Sequence, residues 1–212
     1  MAGGGGGLEV LDLGRCAYLE AHARMRSLVE ERAQGRGRDT LILAEFEPVV
    51  TVGRGARAER YQGLPLPVLE VERGGRATYH GPGQIVAYPV LRLEEGRRDL
   101  HAFLHLLEEA LIRCVADFGL EGGRDPRNTG CWVGGRKVAS IGIAVRRWVT
   151  WHGLALNVET DLEAFGWFDP CGLEPELLTS MERELGHSPG LETVRRSLIR
   201  HLQEVLCPPA TP

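Results

Sequence analysis

Apolar residues along this chain switch between a two-residue and a three-to-four-residue spacing, and each switch predicts a change of element. Leu8 to Leu13 predicts a strand. Ala17 to Gln34 sets Tyr18, Ala21, Met25, Leu28 and Arg32 at helical spacing, and Gly35 supplies the stop. Thr40 to Ala44 and Val49 to Val52 predict two short strands, the second running into Gly53-Arg54-Gly55. Val68 to Val71 and Ile85 to Val90 predict two more, joined by a glycine-rich loop. Asp99 is placed to cap a helix from Leu100 to Phe118 with the stripe Phe103, Leu107, Ala110, Cys114 and Phe118, and Gly119 ends it. Cys131-Trp132-Val133, Gly134-Gly135 and Arg136 to Val145 predict a hairpin, followed across Arg146-Arg147-Trp148 by an antiparallel strand, Val149 to Leu156. Pro175 to Leu185 predicts a short helix, and Ser188 the cap of a terminal helix buried along Leu191, Val194, Leu198, Leu202 and Val205.

One position in this pattern is out of character. If the strand from Arg136 is regular, Lys137 shares a face with Ala139, Ile141, Ile143 and Val145, because side chains alternate. A lysine there either snorkels from an edge or is partly desolvated and suited to proton transfer or to holding a thiolate. Ser140, Gly142 and Ala144 fall on the other face and leave room for a ligand chain or a backbone.

Composition narrows the class. With 212 residues, 43% hydrophobic and 25% charged, the chain is expected to form one core-bearing domain over residues 8–207, with flexible segments at 1–7 and 208–212. A net charge of −4 argues against a nucleic-acid partner. Arginines nonetheless gather at Arg54, Arg57, Arg60, Arg73 and Arg76, and those from Arg54 to Arg60 serve as a solubilising surface or as a landing patch for an acidic protein. No apolar run reaches the length of a membrane span and the start lacks a secretory pattern, so no membrane association and a cytoplasmic address are expected. The cysteines, Cys16, Cys114, Cys131, Cys171 and Cys207, are odd in number and irregular in spacing, which fits neither a disulfide framework nor a CxxC zinc site. His101 and His105 share a helical face but have no third ligand at a recognisable spacing, so no metal site is expected. His22 is read as a solvated residue, and His152 as either a structural histidine or a catalytic base.

The densest chemistry lies in Arg73-Gly74-Gly75-Arg76-Ala77-Thr78-Tyr79-His80-Gly81-Pro82-Gly83-Gln84. Glycines let a backbone approach a guest and proline stiffens the turn. The composition alone is equally that of a glycine-rich turn with no ligand, and His80 equally that of a hydrogen-bonded structural residue. No lysine follows in the P-loop pattern. Cys171, after Phe168-Asp169-Pro170 and before Gly172, lies in a turn; turn cysteines are available as nucleophiles, although most free cysteines are packing residues.

Arg73-Gly-Gly-x-x-Thr-Tyr-His-Gly-Pro-Gly-Gln84 resembles the signature of the lipoyl(octanoyl) transferases, also called lipoate-protein ligase B. Pro48 to Arg54, Gly130 to Asn157 and Pro170-Cys171-Gly172-Leu173 fit the same family in the same order. Two departures stand out: Glu45-Phe46-Glu47 replaces a frequent histidine before Pro48, and Arg76 replaces a usual acidic residue.

The resemblance implies a single α/β (α+β) domain of the biotin/lipoate protein ligase type, with a mixed, largely antiparallel sheet and helices on one side. It implies Cys171 and Lys137 as the catalytic pair. For the acyl substrate it implies Arg73, Gly74, Gly75, Arg76, Ala77, Thr78, Tyr79 and His80, together with Ser140-Ile141-Gly142 and Gly153-Leu154-Ala155. The implied activity moves an octanoyl or lipoyl group from octanoyl-acyl carrier protein through a cysteine thioester to a lysine. The acceptors are lipoyl domains of 2-oxoacid dehydrogenases and the glycine cleavage H protein, and the chemistry requires no metal, nucleotide or dissociable cofactor. Three alternatives stay open: an amidotransferase between lipoyl domains, an ATP-dependent lipoate ligase, and a non-catalytic carrier-protein binding module. Donor comparison separates the first, ATP–pyrophosphate exchange the second, and behaviour of Cys171→Ser the third.

Overall fold

The structure, a computed structural model, describes residues 7–168 and 170–207, without the Cys171 side chain. Expectations for the two chain ends and for the Cys171 thiol therefore fall outside the described residues. In chain order the elements are β1 (Glu9–Cys16), α1 (Tyr18–Ala33), β2 (Thr40–Phe46), β3 (Val49–Val52), β4 (Val68–Glu70), β5 (Ala77–His80), β6 (Gln84–Val90), α2 (Leu100–Ala116), β7 (Gly122–Gly123), β8 (Gly130–Val133), β9 (Arg136–Arg146), β10 (Val149–Asn157), α3 (Met181–Leu185) and α4 (Leu191–Leu206).

A seven-stranded sheet runs in the order β1-β2-β6-β10-β9-β8-β7, and β4-β3-β5 form a smaller one. In the large sheet only the β1–β2 pair is parallel, so the mixed, largely antiparallel expectation stands. Alternation along β2 and β6 explains where the helices sit. Leu41, Leu43, Ile85 and Ala87 face a core built with Phe103, Leu107 and Leu111 of α2 and Val194, Leu198 and Leu202 of α4. Ile42, Ala44, Val86 and Tyr88 face the other way, toward Tyr18, Ala21, Met25 and Val29 of α1. Helices thus cover both faces, not the one side expected, because these central strands are apolar on both faces and each face needs a cover.

Three local readings change. The stretch expected as one loop between Val71 and Ile85 is a turn, a strand and a second turn, since Ala77–His80 pairs with β3 between flanking glycines. The helix expected over Pro175 to Leu185 is broken: Leu178 forms a bridge to Lys137, and α3 starts only after Ser180, whose hydroxyl accepts from the Arg183 N–H. Gly190, not Ser188, is the residue that precedes α4. Asp99 does cap α2, accepting from the Ala102 N–H at 3.0 Å.

Candidate functional site

A cavity of about 350 Å³ opens where the small sheet meets β9 and β10. That is near the lower end of ligand-pocket volumes. Its wall includes Arg73, Gly74, Gly75, Arg76, Thr78, His80, Ser140, Ile141, Gly142, Gly153, Leu154 and Ala155. Of the residues implied for the substrate, only Ala77 and Tyr79 are not part of it. The reason is the strand: with period two along β5, Thr78 and His80 face the cavity, while Ala77 packs with Val50, Val52 and Tyr61, and Tyr79 with Phe165 and Leu178. Gly55, Tyr88 and Asn128 also line the cavity and were not anticipated. Asn128 lay hidden in a segment whose glycine, proline and charges read only as a connection.

Backbone contact joins the two glycine-rich turns. The Gly53, Arg54 and Gly55 N–H groups donate to the Arg76, Arg73 and Gly75 carbonyls at 3.2, 3.0 and 2.9 Å. A Cβ at Gly53 would stand 2.6 Å from the Gly75 oxygen, so only glycine allows this approach. Arg73 is a brace: its guanidinium donates to the Thr51 and Arg76 carbonyls at 2.8 Å, and to Thr51 Oγ1 at 3.0 Å.

From Arg73 a buried polar chain crosses the molecule. Thr51 Oγ1 lies 3.3 Å from His80 Nε2, and His80 Nδ1 lies 2.7 Å from Gln84 Oε1. Because the amide oxygen only accepts, Nδ1 carries the proton and Nε2 accepts from the Thr51 hydroxyl. Gln84 Nε2 donates to Asn157 Oδ1 at 2.9 Å, Asn157 Nδ2 donates to the Thr179 carbonyl at 3.0 Å, and the Thr179 N–H donates to the Lys137 carbonyl at 3.0 Å. Burial holds the His80 pKa down at about 4, so the ring is neutral near pH 7. A neutral imidazole with both nitrogens engaged is a structural link.

Lys137 is 1% exposed. β9 is not regular: Cys131 pairs with Ala139 but Trp132 pairs with Lys137, which leaves Val138 as an extra residue. Paired residues share a face, so this one-residue bulge moves Lys137 off the face of Ala139 and onto that of Trp132 and Ser140. The expected shared face with Ala139, Ile141, Ile143 and Val145 is overturned. Lys137 instead reaches past Gly130, where a Cβ would come within 2.7 Å of its Cε, and its ammonium donates to Asn128 Oδ1. Asn128 is held in turn by the Trp132 indole, which donates to its carbonyl at 2.9 Å.

Cys171 lies in a single 3-10 turn, Pro170–Gly172. Gly172 has φ +77°, and a Cβ there would stand 2.9 Å from Arg76 Nη1. The turn therefore abuts the cavity wall on one side, and the segment after it returns to Lys137 through Leu178. Burial pushes the thiols of Cys16, Cys114, Cys131 and Cys207 up, Cys114 and Cys131 to about 12. None of the four is poised as a thiolate. His101 and His105 form no metal cluster among the described residues; His105 pairs with Glu108. His22 is not a solvated residue, since its Nε2 lies 3.0 Å from Glu72 Oε2 and its side chain is 15% exposed.

A family model described as the lipoyl protein ligase A/B catalytic domain matches residues 17–203. An octanoyltransferase of Rubrobacter xylanophilus is 45% identical over 207 residues, covering 93% of each chain. Among solved structures, a bipartite lipoate protein ligase studied with its E2 lipoyl domain from Thermoplasma acidophilum superposes with a TM-score of 0.72 at 20% identity, covering 94% of this chain and 84% of that one. A biotin protein ligase from Aquifex aeolicus, in complex with biotin and ATP, gives 0.56 at 11% identity, covering 93% and 70%. These two share the fold. No helix among the described residues is long and apolar enough to cross a membrane. The chain belongs to the lipoyl protein ligase A/B catalytic domain family.

Proposed function

We propose that this protein is an octanoyltransferase that moves an octanoyl group from acyl carrier protein to the lysine of a lipoyl domain, using Cys171 as nucleophile and Lys137 as its charged partner. Relatives at this identity that carry the octanoyltransferase name support the acyl group and the reaction class. The observation that carries the catalytic assignment is the bulge at Val138, which brings a buried ammonium to Asn128 in the wall of an acyl-sized cavity. The octanoyl chain would lie along Ser140-Ile141-Gly142 and Gly153-Leu154-Ala155, which line the cavity.

In the first step the Cys171 thiolate attacks the thioester carbonyl, forming a new S–C bond as the carrier thiolate leaves and takes a proton from Lys137. In the second, the acceptor lysine attacks the acyl-enzyme, an amide bond forms, Cys171 departs as thiolate, and the neutral Lys137 amine takes the proton of the attacking nitrogen. Arg76, against Gly172, adds a second positive charge beside the turn. Arg54, Arg57 and Arg60 are exposed and suit an acidic carrier protein. Arg57→Glu with Arg60→Glu should raise KM for the carrier-bound donor and leave a small octanoyl thioester unaffected; equal effects on both donors would remove the docking role. Mass spectrometry of protein incubated with donor should show an octanoyl adduct on Cys171. Normal turnover by Cys171→Ser would overturn the scheme.

A further inference from the structure

Three side chains outside the acyl cavity converge behind it. His22 comes from α1, Glu72 from the segment just before Arg73, and His152 from β10 just before Gly153. One ring nitrogen of each histidine and a carboxylate oxygen of Glu72 lie within 4.8 Å of one another. The Nε2 atoms of His22 and His152 stand 3.0 and 3.7 Å from Glu72 Oε2. Ligands at about 2.0–2.2 Å from a tetrahedral zinc ion lie a little over 3 Å apart, so these separations bracket the required value.

The second observation is His152 itself. It is 1% exposed, Nδ1 has no hydrogen-bond partner, and the Glu72 carboxylate, 3.7 Å from Nε2, is beyond hydrogen-bond distance. A buried imidazole with both nitrogens unsatisfied is costly, and polar groups in that state call for an explanation such as an ion. Its backbone is also held at φ +55°, outside the usual range for a strand residue.

We propose that His22, Glu72 and His152 form a binding site for one divalent transition-metal ion, zinc by the nature of the donors. Two imidazoles and one carboxylate are a borderline donor set that suits zinc over magnesium or calcium, and the fourth position would be taken by water. Glu72 is 35% exposed, which leaves a path for the ion to enter. Arg73, the neighbouring cation, holds its guanidinium on the Thr51 and Arg76 carbonyls. The ion would tie α1 to the two segments that continue into the cavity wall at Arg73 and Gly153. The acyl transfer proposed above needs no metal, so this site braces the cavity and the two readings fail independently.

The test uses the full chain stripped with a chelator and then titrated with zinc and with cobalt(II). Wild type should retain one equivalent after dialysis, show visible d–d bands with cobalt, and gain thermal stability with zinc. His22→Gln and Glu72→Gln should each weaken binding at least about tenfold, while His101→Gln, an exposed histidine elsewhere, should bind as wild type. Paramagnetic shifts from cobalt should fall on the His22 and His152 imidazole signals, a readout that needs no variant. Failure of wild type to retain a stoichiometric ion, unchanged affinity in both site variants, or cobalt shifts on other histidines would each overturn the proposal.

Discussion

The ammonium of Lys137 is hydrogen-bonded to the side-chain oxygen of Asn128, a residue of the cavity wall. Lys137 is otherwise enclosed by protein, so this bond sets where its charge meets the substrate. A hydrogen bond to a charged group contributes about 1.5–3 kcal/mol. Asn128→Ala should lower kcat by roughly 10- to 100-fold with little change in KM for the acyl donor. A kcat within twofold of wild type would separate Lys137 from the chemistry.

Register supplies a second prediction. Inserting one residue between Cys131 and Trp132 gives Val138 a partner, removes the bulge, and turns Lys137 onto the apolar face of Ala139. An unpaired buried charge costs about 3–5 kcal/mol, so the insertion should abolish activity and move the urea midpoint by a correspondingly large amount. Val138→Ala keeps the bulge and should cost only about 2 kcal/mol with activity retained. Insertion and substitution behaving alike would show that face assignment is irrelevant.

Stability should depend on pH through His80. In the unfolded chain the ring takes up its proton near the ordinary 6.5, whereas in the fold it stays neutral down to about 4, chiefly because it is buried. A depressed folded value means that this contribution is fully present above 6.5, declines as pH falls, and is lost by about 4. The full effect is roughly 3 kcal/mol. Urea unfolding at pH 7.5 and 4.5 should therefore show a smaller pH loss in His80→Gln than in wild type; identical losses would contradict it.

Charge beside the Cys171 turn is open to direct measurement. Arg76 Nη1 would lie 2.9 Å from a Cβ at Gly172, so Arg76→Glu replaces a positive neighbour with a negative one. The pH midpoint for alkylation of Cys171 by iodoacetamide should rise by about one unit, and acyl-enzyme formation at pH 7 should slow about tenfold in step. An unshifted alkylation profile would confine Arg76 to packing.

The elements themselves were legible in the sequence because their periodicity is local. The α1, α2 and α4 stripes, the Gly134-Gly135 hairpin and most strands follow from spacing and turn chemistry within a few residues. So were the motif segments that line the cavity, since glycine-rich turns advertise close backbone approach. Short β5 was lost between its glycines, and with it the alternation that turns Ala77 and Tyr79 away from the cavity.

What the amino-acid order determined by itself was the family, the set of elements and the stretches that form the cavity wall, because each is written in contiguous residues. Tertiary structure alone decided the face of Lys137, the choice of Asn128 as its partner, and the meeting of His22, Glu72 and His152. A bulge exists only relative to the strand it pairs with, and three residues from a helix, a loop and a strand become neighbours only when sheet and helix pack.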